Sequence, residues 1–418
     1  MYANASLKLS RATEISVSDK ERLTIMGLNS TPSSERIHIG FFGIRNAGKS
    51  SLVNRITNQD VSVVSSVKGT TTDSIRKTME LLPLGAVEII DTPGIDDEGE
   101  LGEKRINSAK KILNVCDIAV LVSEADRDLN SAEKELISVF TEKNIPFIIA
   151  KNKVDLTDDY KNEKNVVYVS AKNNVGINEL KEEISNALGS AKKEIRLVAD
   201  FIQENDIVVL VTPIDESAPK GRMILPQQQA IRDIIDAGGI AVVVQPEQLA
   251  KTLKKTNPAL VITDSQVFSK VMKLVDKSIP LTSFSILLAR YKGFLDTALN
   301  GVYKIEDLKD GAKILISEGC THHRQCEDIG TVKLPKWLEE YTEKKFCYEF
   351  SSGHGFPEDL SGYDFILHCG GCMLGDKEML SRMNKANEQN IPFTNYGTAI
   401  AYINGILEKS IEIIKDGK

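Results

Sequence analysis

No stretch of this 418-residue chain is both long and apolar. Apolar runs such as Ile240 to Val244 and Phe365 to Leu367 fall far short of the ~20 residues that span a bilayer. The opening MYANASLKLSRATEISVSDKER has no apolar core, so no secretory signal is expected and a cytoplasmic location is the default. Positive charge is also in short supply. Fifty-two basic residues against 59 acidic ones leave a formal charge of −7 and a pI near 5.5, without the basic footprint of broad nucleic-acid binding. Neither a membrane nor a nucleic acid is therefore expected as a partner. Cysteine is scarce, and its six copies are not spread like a disulfide framework. Five lie after residue 319, and Cys369 and Cys372 form a C-x-x-C. In a reducing compartment that clustering points to metal or redox chemistry. Cys116, alone in an apolar run, is expected in the core.

What is present is the composition of a globular protein, 41% apolar and 27% charged. The length allows about two to four domains. Residues 1–35 are polar and rich in Ser and Thr, a lead-in to the folded chain. From Ile37 onward, short apolar runs alternate with amphipathic stretches, the signature of strand–helix units and parallel sheets. This α/β reading divides into three consecutive domains at 36–190, 195–305 and 306–418. In the second, Ile207–Val211, Ile240–Val244, Leu260–Thr263 and Pro280–Thr282 read as strands. In the third, Ala312–Ile316, Phe346–Phe350 and Phe365–Leu367 do so. The charged segment AKKEIRLVADFIQEND (191–206) reads as helical, as does PQQQAIRDIIDAGG. One long amphipathic stretch from Thr398 to Ile414 closes the chain.

The first domain carries nucleotide-binding segments in order. Gly43-Ile-Arg-Asn-Ala-Gly48-Lys49-Ser50 follows the strand-like run IHIGFF and precedes an amphipathic stretch, the context a P-loop requires. Its glycines let backbone N–H groups wrap phosphates at a helix N-terminus. Lys49 can reach the β- and γ-phosphates and the Ser50 hydroxyl can ligate Mg²⁺, with Ser51 completing the segment. Asp91-Thr-Pro-Gly94 follows VEII, so Asp91 can hold the magnesium ion through water while Gly94 senses the γ-phosphate. Asn152-Lys153-Val-Asp155 follows FIIAK. A carboxylate at Asp155 accepts from guanine N1–H and its exocyclic amine, a donor pair adenine lacks. Ser170-Ala171-Lys172 follows VVYV and can close over the base. Each tetrapeptide alone is weak; four in order, each after a strand, specify GTP.

Lys68-Gly-Thr-Thr-Thr72-Asp73 lies where a magnesium-ligating switch should sit. It resembles the GTTRD-like segment of bacterial Era- and TrmE-type GTPases, which favours Thr71 over Thr70 or Thr72 as the ligand. Ile95 stands where Ras-like enzymes place a water-orienting glutamine, so slow intrinsic turnover is expected. Asn46 matches the P-loop asparagine that helps bind K⁺ in the Era/TrmE group, where the ion supplies the charge of an arginine finger.

The third domain holds Cys320-Thr-His322 after ILIS and His368-Cys369-Gly-Gly-Cys372 after FIL. Strand ends in parallel α/β domains share one rim, where these segments can meet. Three readings stay open on spacing alone. They are a tetrahedral zinc, a dithiol, and an iron–sulfur cluster tolerating a non-cysteine fourth ligand. Cys326 and Cys347 are further candidate ligands, though ordinary semi-buried cysteines are the favoured reading.

The whole chain from about residue 36 resembles one family, the diiron-hydrogenase maturation GTPase HydF. The specificity lies in GTPase motifs combined with Cys320-x-His322 and His368-Cys369-x-x-Cys372. The resemblance implies that Cys320, Cys369 and Cys372 hold a 4Fe–4S cluster, with His322 and His368 as motif histidines and the fourth position open. It also implies a GTP-hydrolysing scaffold that carries or assembles a diiron precursor. That precursor is delivered to apo-hydrogenase in concert with two radical-SAM maturases, and the central domain makes a homodimer. The competing reading is an RNA- or ribosome-linked regulatory GTPase with a structural zinc. It lacks support from any GXXG loop or basic aromatic sheet.

Overall fold

Strand-forming runs rich in Ile, Val and Phe build three sheets in succession, seen here in a computed structural model. The structure describes residues 31–57, 74–95, 109–157, 163–189, 195–214, 223–320, 329–353 and 355–416. The switch candidate Thr71, with Thr70 and Thr72, lies outside the described residues, and so do His322, His323 and Cys326.

The first sheet has the order β2-β3-β1-β4-β5-β6. Its strands are β1 (Ile37–Phe42), β2 (Ile75–Leu81), β3 (Gly85–Asp91), β4 (Ile118–Glu124), β5 (Phe147–Asn152) and β6 (Val166–Tyr168). Helices α1 (Lys49–Thr57), α2 (Ser131–Glu142) and α3 (Ile177–Gly189) pack on it, and residues 109–113 are also helical. Side chains alternate across β1, so Ile39 and Phe41 pack with Leu52 and Ile184 while Phe42 packs with Leu136 and Phe140 on the other face. Cys116 is fully buried in that second cluster, as expected. The sheet is not wholly parallel, because β2 runs antiparallel to β3. The three residues between them are far too few for the crossover a parallel pair demands. Alternating burial along β2 marks it as an edge with one solvated face.

The second and third sheets are parallel throughout, ordered β10-β9-β7-β8 and β12-β11-β13-β14. The second comprises β7 (Ile207–Val211), α4 (Leu225–Asp236), β8 (Ile240–Val244), α5 (Leu249–Leu253), β9 (Leu260–Thr263), α6 (Phe268–Met272), β10 (Leu281–Ser283) and α7 (Phe284–Tyr291). After α8 (Leu295–Val302), the third has β11 (Lys313–Glu318), α9 (Leu334–Thr342), β12 (Cys347–Ser352), β13 (Phe365–His368), α10 (Asp376–Glu388), β14 (Phe393–Asn395), α11 (Tyr396–Ile403) and α12 (Leu407–Asp416). One continuous apolar cluster joins both sheets, from Val209 and Val261 through Ile314 and Leu367 to Ile411. The elements interlock. Helix α8 lies so close to β14 that a Cβ on Gly301 would stand 2.1 Å from the Phe393 carbonyl oxygen. Helix α12 lies back on β10, where the buried Thr282 hydroxyl donates to the Ser410 carbonyl at 2.7 Å.

Two sequence expectations fail. The described part of 191–206 holds only a short 3-10 turn, Ala199–Phe201, because the Asp233 carboxylate takes the Val198 and Ala199 N–H groups at 2.7 and 2.9 Å. Those donors are satisfied by a side chain, and Leu197 and Val198 are buried without a helix. The closing stretch is two helices rather than one. The chain turns at Gly405 (φ +67), and this break lets α11 and α12 pack on different sheets. Strand bounds otherwise shift by a residue or two: β10 starts after Pro280, and β11 and β12 run on to Glu318 and Ser352. No helix among the described residues is long and apolar enough to cross a membrane.

The tight α8–β14 contact generates a prediction. Gly301→Ala forces a methyl group into the Phe393 carbonyl and should destabilise the fold by about 1–3 kcal/mol, despite the better helix propensity of Ala. A lowered midpoint in urea, read by circular dichroism, checks this; an unchanged or raised midpoint contradicts it.

Candidate nucleotide site and cysteine rim

The P-loop leaves β1 at the centre of the first sheet and ends where α1 begins at Lys49. Two of its glycines are required by contact and by backbone. A Cβ on Gly43 (φ +146) would stand 2.3 Å from the Val122 carbonyl oxygen, and one on Gly48 (φ +88) 2.3 Å from Asn152 Nδ2. Lys49 is buried, and its Nζ donates to the Gly43 and Ile44 carbonyls at 3.0 and 2.7 Å. Asn46 is exposed in a left-handed conformation, and Ser50 and Ser51 are exposed at the helix start.

Asp91 ends β3, buried beneath the loop, with its Oδ1 unpartnered. Burial pushes its carboxyl above the usual carboxylate range, opposed by a hydrogen bond from Ser50 and by the charge of Lys49. A buried carboxylate oxygen without a partner, beside a hydroxyl, is a donor set that fits Mg²⁺. The Asp91–Gly94 turn rests on the P-loop, since a Cβ on Gly94 would stand 2.8 Å from the Arg45 nitrogen. Ile95 is buried in the apolar cluster with Leu113 and Leu136. It has neither the chemistry nor the position to orient water.

The elements expected to read guanine are tied together by Asn152. Its Nδ2 donates to the Ala47 carbonyl at 2.9 Å and its Oδ1 accepts from the Ala171 N–H at 3.2 Å, joining the P-loop to the Ser170–Lys172 turn. Lys153 adopts a left-handed backbone (φ +66), and its ammonium pairs with Glu124. Asp155 is exposed at the rim. Ser170 Oγ donates to its carboxylate at 2.5 Å and holds its pKa below the ordinary value. Arg55 Nε donates to the Ala171 carbonyl at 2.9 Å and steadies the same turn. Sequence reading missed Glu124 and Arg55, because neither belongs to a motif and both act across the fold.

The second constellation is at the ends of β11 and β13, which pair in parallel with Ser317 opposite His368. Cys369 Sγ accepts from the Gly319 N–H at 3.1 Å and the Gly371 N–H at 3.3 Å. The Gly319–Cys320 turn and the Cys369–Cys372 loop are thus joined at one rim. Cys320, Cys369 and Cys372 are each half-buried. Packed surroundings push the Cys369 thiol up to about 11 and raise that of Cys372, so both stay protonated at neutral pH until a metal displaces the proton. Among the described residues no group of three His, Cys, Asp or Glu side chains stands close enough to hold a metal ion. The donor chemistry and the N–H···S bonds nevertheless fit a thiolate-bound cluster. Cys347 pairs with Lys313 at the opposite end of the strands, away from this rim.

His368 requires a correction. Its ring is fully buried between Phe356 and Phe393. Nδ1 lies 2.8 Å from the Cys369 carbonyl, which only accepts, and Nε2 lies 3.1 Å from Arg382 Nη1, which only donates. Both nitrogens are therefore engaged by a neutral ring, whose pKa burial and the Arg382 charge push down to about 3. Instead of offering a lone pair to metal, His368 braces the backbone of Cys369. Arg382 also donates to the Gly353 carbonyl and Glu378 at 2.5 Å each. Arg382, like the buried Glu318 that accepts from Tyr396 at 3.3 Å, carried no sequence signal.

A P-loop, a buried aspartate beside it and the Asn152–Asp155 turn, on a mixed six-stranded sheet, define a P-loop GTPase domain. Comparison with known families agrees: residues 38–153 match the model described as 50S ribosome-binding GTPase. Residues 197–293 match the hydrogen maturase F dimerization domain and residues 296–413 its tetramerization domain, together just over half the chain. The chain belongs to the hydrogen maturase F (HydF) family. Among curated proteins, it is 33% identical over 149 residues to the tRNA modification GTPase MnmE of Thermoanaerobacter sp., covering 35% of this chain and 32% of that protein. It is 35% identical over 130 residues to GTPase Der of Borrelia garinii, covering 30% of each. The chain thus spans about a third of the length of these relatives. Among solved structures, Era of Aquifex aeolicus is 18% identical with a TM-score of 0.33, over 57% of this chain and 97% of that one.

The Ser170–Asp155 arrangement generates the second prediction. Asp155→Asn exchanges an acceptor for an amide and should shift nucleotide preference from GTP toward xanthosine triphosphate. Competition binding with both nucleotides checks this; retained GTP affinity with no gain for the xanthine form contradicts it.

Proposed function

We propose that the first domain hydrolyses GTP and that the third carries a 4Fe–4S cluster together with a diiron precursor of the hydrogenase active site. The precursor passes to apo-hydrogenase, with two radical-SAM maturases as partners. The observation that carries this reading is the junction of Gly319–Cys320 with Cys369 across two adjacent strand ends. It brings thiols that are distant in sequence to one rim. Family membership supports the same assignment.

Cys320, Cys369 and Cys372 are the thiolates that would hold the cluster. Gly319 and Gly371 N–H groups orient the Cys369 sulfur, and His368 and Arg382 fix the backbone behind it. When bound, a cluster with three thiolates supplies an iron with an exchangeable fourth position. At the nucleotide, Ser50, Asp91 and Thr71 hold Mg²⁺, Lys49 meets the phosphates, and Asn46 helps to hold K⁺. Self-association fits β8, an edge strand with Ile240 48% and Val243 43% exposed, where a second copy related by a two-fold axis can pair.

Two outcomes test this. Potassium should accelerate hydrolysis well beyond sodium, because Ile95 is buried and offers no catalytic substitute, and Asn46→Ala should abolish the difference without abolishing binding. Equal rates in both salts at matched ionic strength contradict the potassium site. Cys369→Ser should yield anaerobic protein with little iron and no broad visible absorbance, yet near-normal GTP turnover. Full iron content in that variant contradicts the cluster assignment.

A further inference from the structure

Lys292 follows α7 in the second domain, yet its side chain is 3% exposed and points into the cysteine loop of the third. Its Nζ donates to the Gly371 carbonyl at 2.9 Å and to the Leu374 carbonyl, and lies 3.7 Å from Asp376 Oδ1. Those two carbonyls bracket Cys372. The same loop meets α7 through apolar contact. Cys372 packs on the cluster containing Leu287 and Leu288, and a Cβ on Gly370 would touch Leu288 at 3.7 Å.

Burying an ammonium group is costly unless it is hydrogen-bonded and its charge is answered. The two carbonyls accept two of its three protons, and a carbonyl carries no net charge. Asp376 Oδ1 stands 3.7 Å from it, about one-third exposed. A thiolate-bound iron–sulfur group is a further source of negative charge, and its reduction potential responds to nearby charge and to solvent exposure. Lys292 stands where it can supply both a positive charge and a fixed loop.

We propose that Lys292 is a positioning residue of the metal site, clamping the carbonyls on both sides of Cys372 and setting a positive charge against the thiolate-bound group. The second domain thereby completes a site whose thiols all belong to the third. This inference rests on the cluster reading above. Its consequence is that the charge balance of Lys292 and Asp376 sets the ease of reduction: removing the cation disfavours the reduced cluster, and removing the carboxylate favours it.

The test uses full-length protein, reconstituted anaerobically with iron and sulfide, in the variants Lys292→Met, Lys292→Arg and Asp376→Asn. Redox titration followed by electron paramagnetic resonance should show a more negative potential for Lys292→Met and a more positive one for Asp376→Asn. Lys292→Arg should stay near wild type. A lysine acting only as packing would not move the potential in opposite directions in the two neutralised variants. Unchanged potentials in both overturn the proposal. A parallel arm titrates metal-free protein with Co²⁺ alone and reads thiolate-to-cobalt absorption, where Lys292→Met should bind on the order of 10-fold more weakly. If wild type takes up no iron and sulfide, the cluster reading fails. The cobalt arm then decides on Lys292, and equal or absent cobalt binding in wild type and Lys292→Met overturns its role.

Discussion

Neighbouring strands of a parallel pair deliver their carboxyl ends to the same rim, and both candidate sites follow from that geometry. In the first sheet β1, β3 and β5 end in the P-loop, Asp91 and Asn152. In the third sheet the register that sets Ser317 opposite His368 brings Gly319 N–H to Cys369 Sγ. A slip of one residue would turn every side chain of β13 to the other face and break that hydrogen bond. The core of Ile314, Ile316, Phe365 and Leu367 therefore fixes the register as well as the stability.

Around the cysteine rim, polar groups are buried in pairs. Arg382 is held by Glu378, Gly353 and His368, and Lys292 by two loop carbonyls. Such networks stabilise little against a well-packed apolar alternative, but losing one partner leaves an expensive orphan. Their effect here is positional. His368 holds the Cys369 carbonyl, Arg382 holds His368, and the Cys369–Leu374 loop is pinned from α7. The second and third sheets share one apolar core. The β8 edge proposed for self-association belongs to the same packed unit as the cysteine loop.

Much of this was legible in the sequence where local chemistry decides the outcome. The strands of the second domain fall almost where their Ile and Val runs lie, and the P-loop context of IHIGFF and Lys49 is reproduced residue for residue. What was hidden depends on contacts distant in the chain. Asp233 satisfies the backbone of Val198 and Ala199, so a charged, helix-like segment forms only a short 3-10 turn. Gly405 divides an amphipathic stretch because its halves have different sheets to cover. His368 looked like a ligand from its place beside Cys369. Only the positions of Arg382 and the Cys369 carbonyl reveal that both ring nitrogens are engaged.

In the proposed function, thiols from two strand ends hold a reducible iron–sulfur cluster in a domain separate from the GTPase. Anaerobic reconstitution of the wild-type chain with iron, sulfide and competing zinc tests it most directly, followed by metal analysis and electron paramagnetic resonance after reduction. About four irons per chain and a signal that appears on reduction are expected. Stoichiometric zinc with no reducible cluster would contradict it, leaving a GTPase with a structural metal.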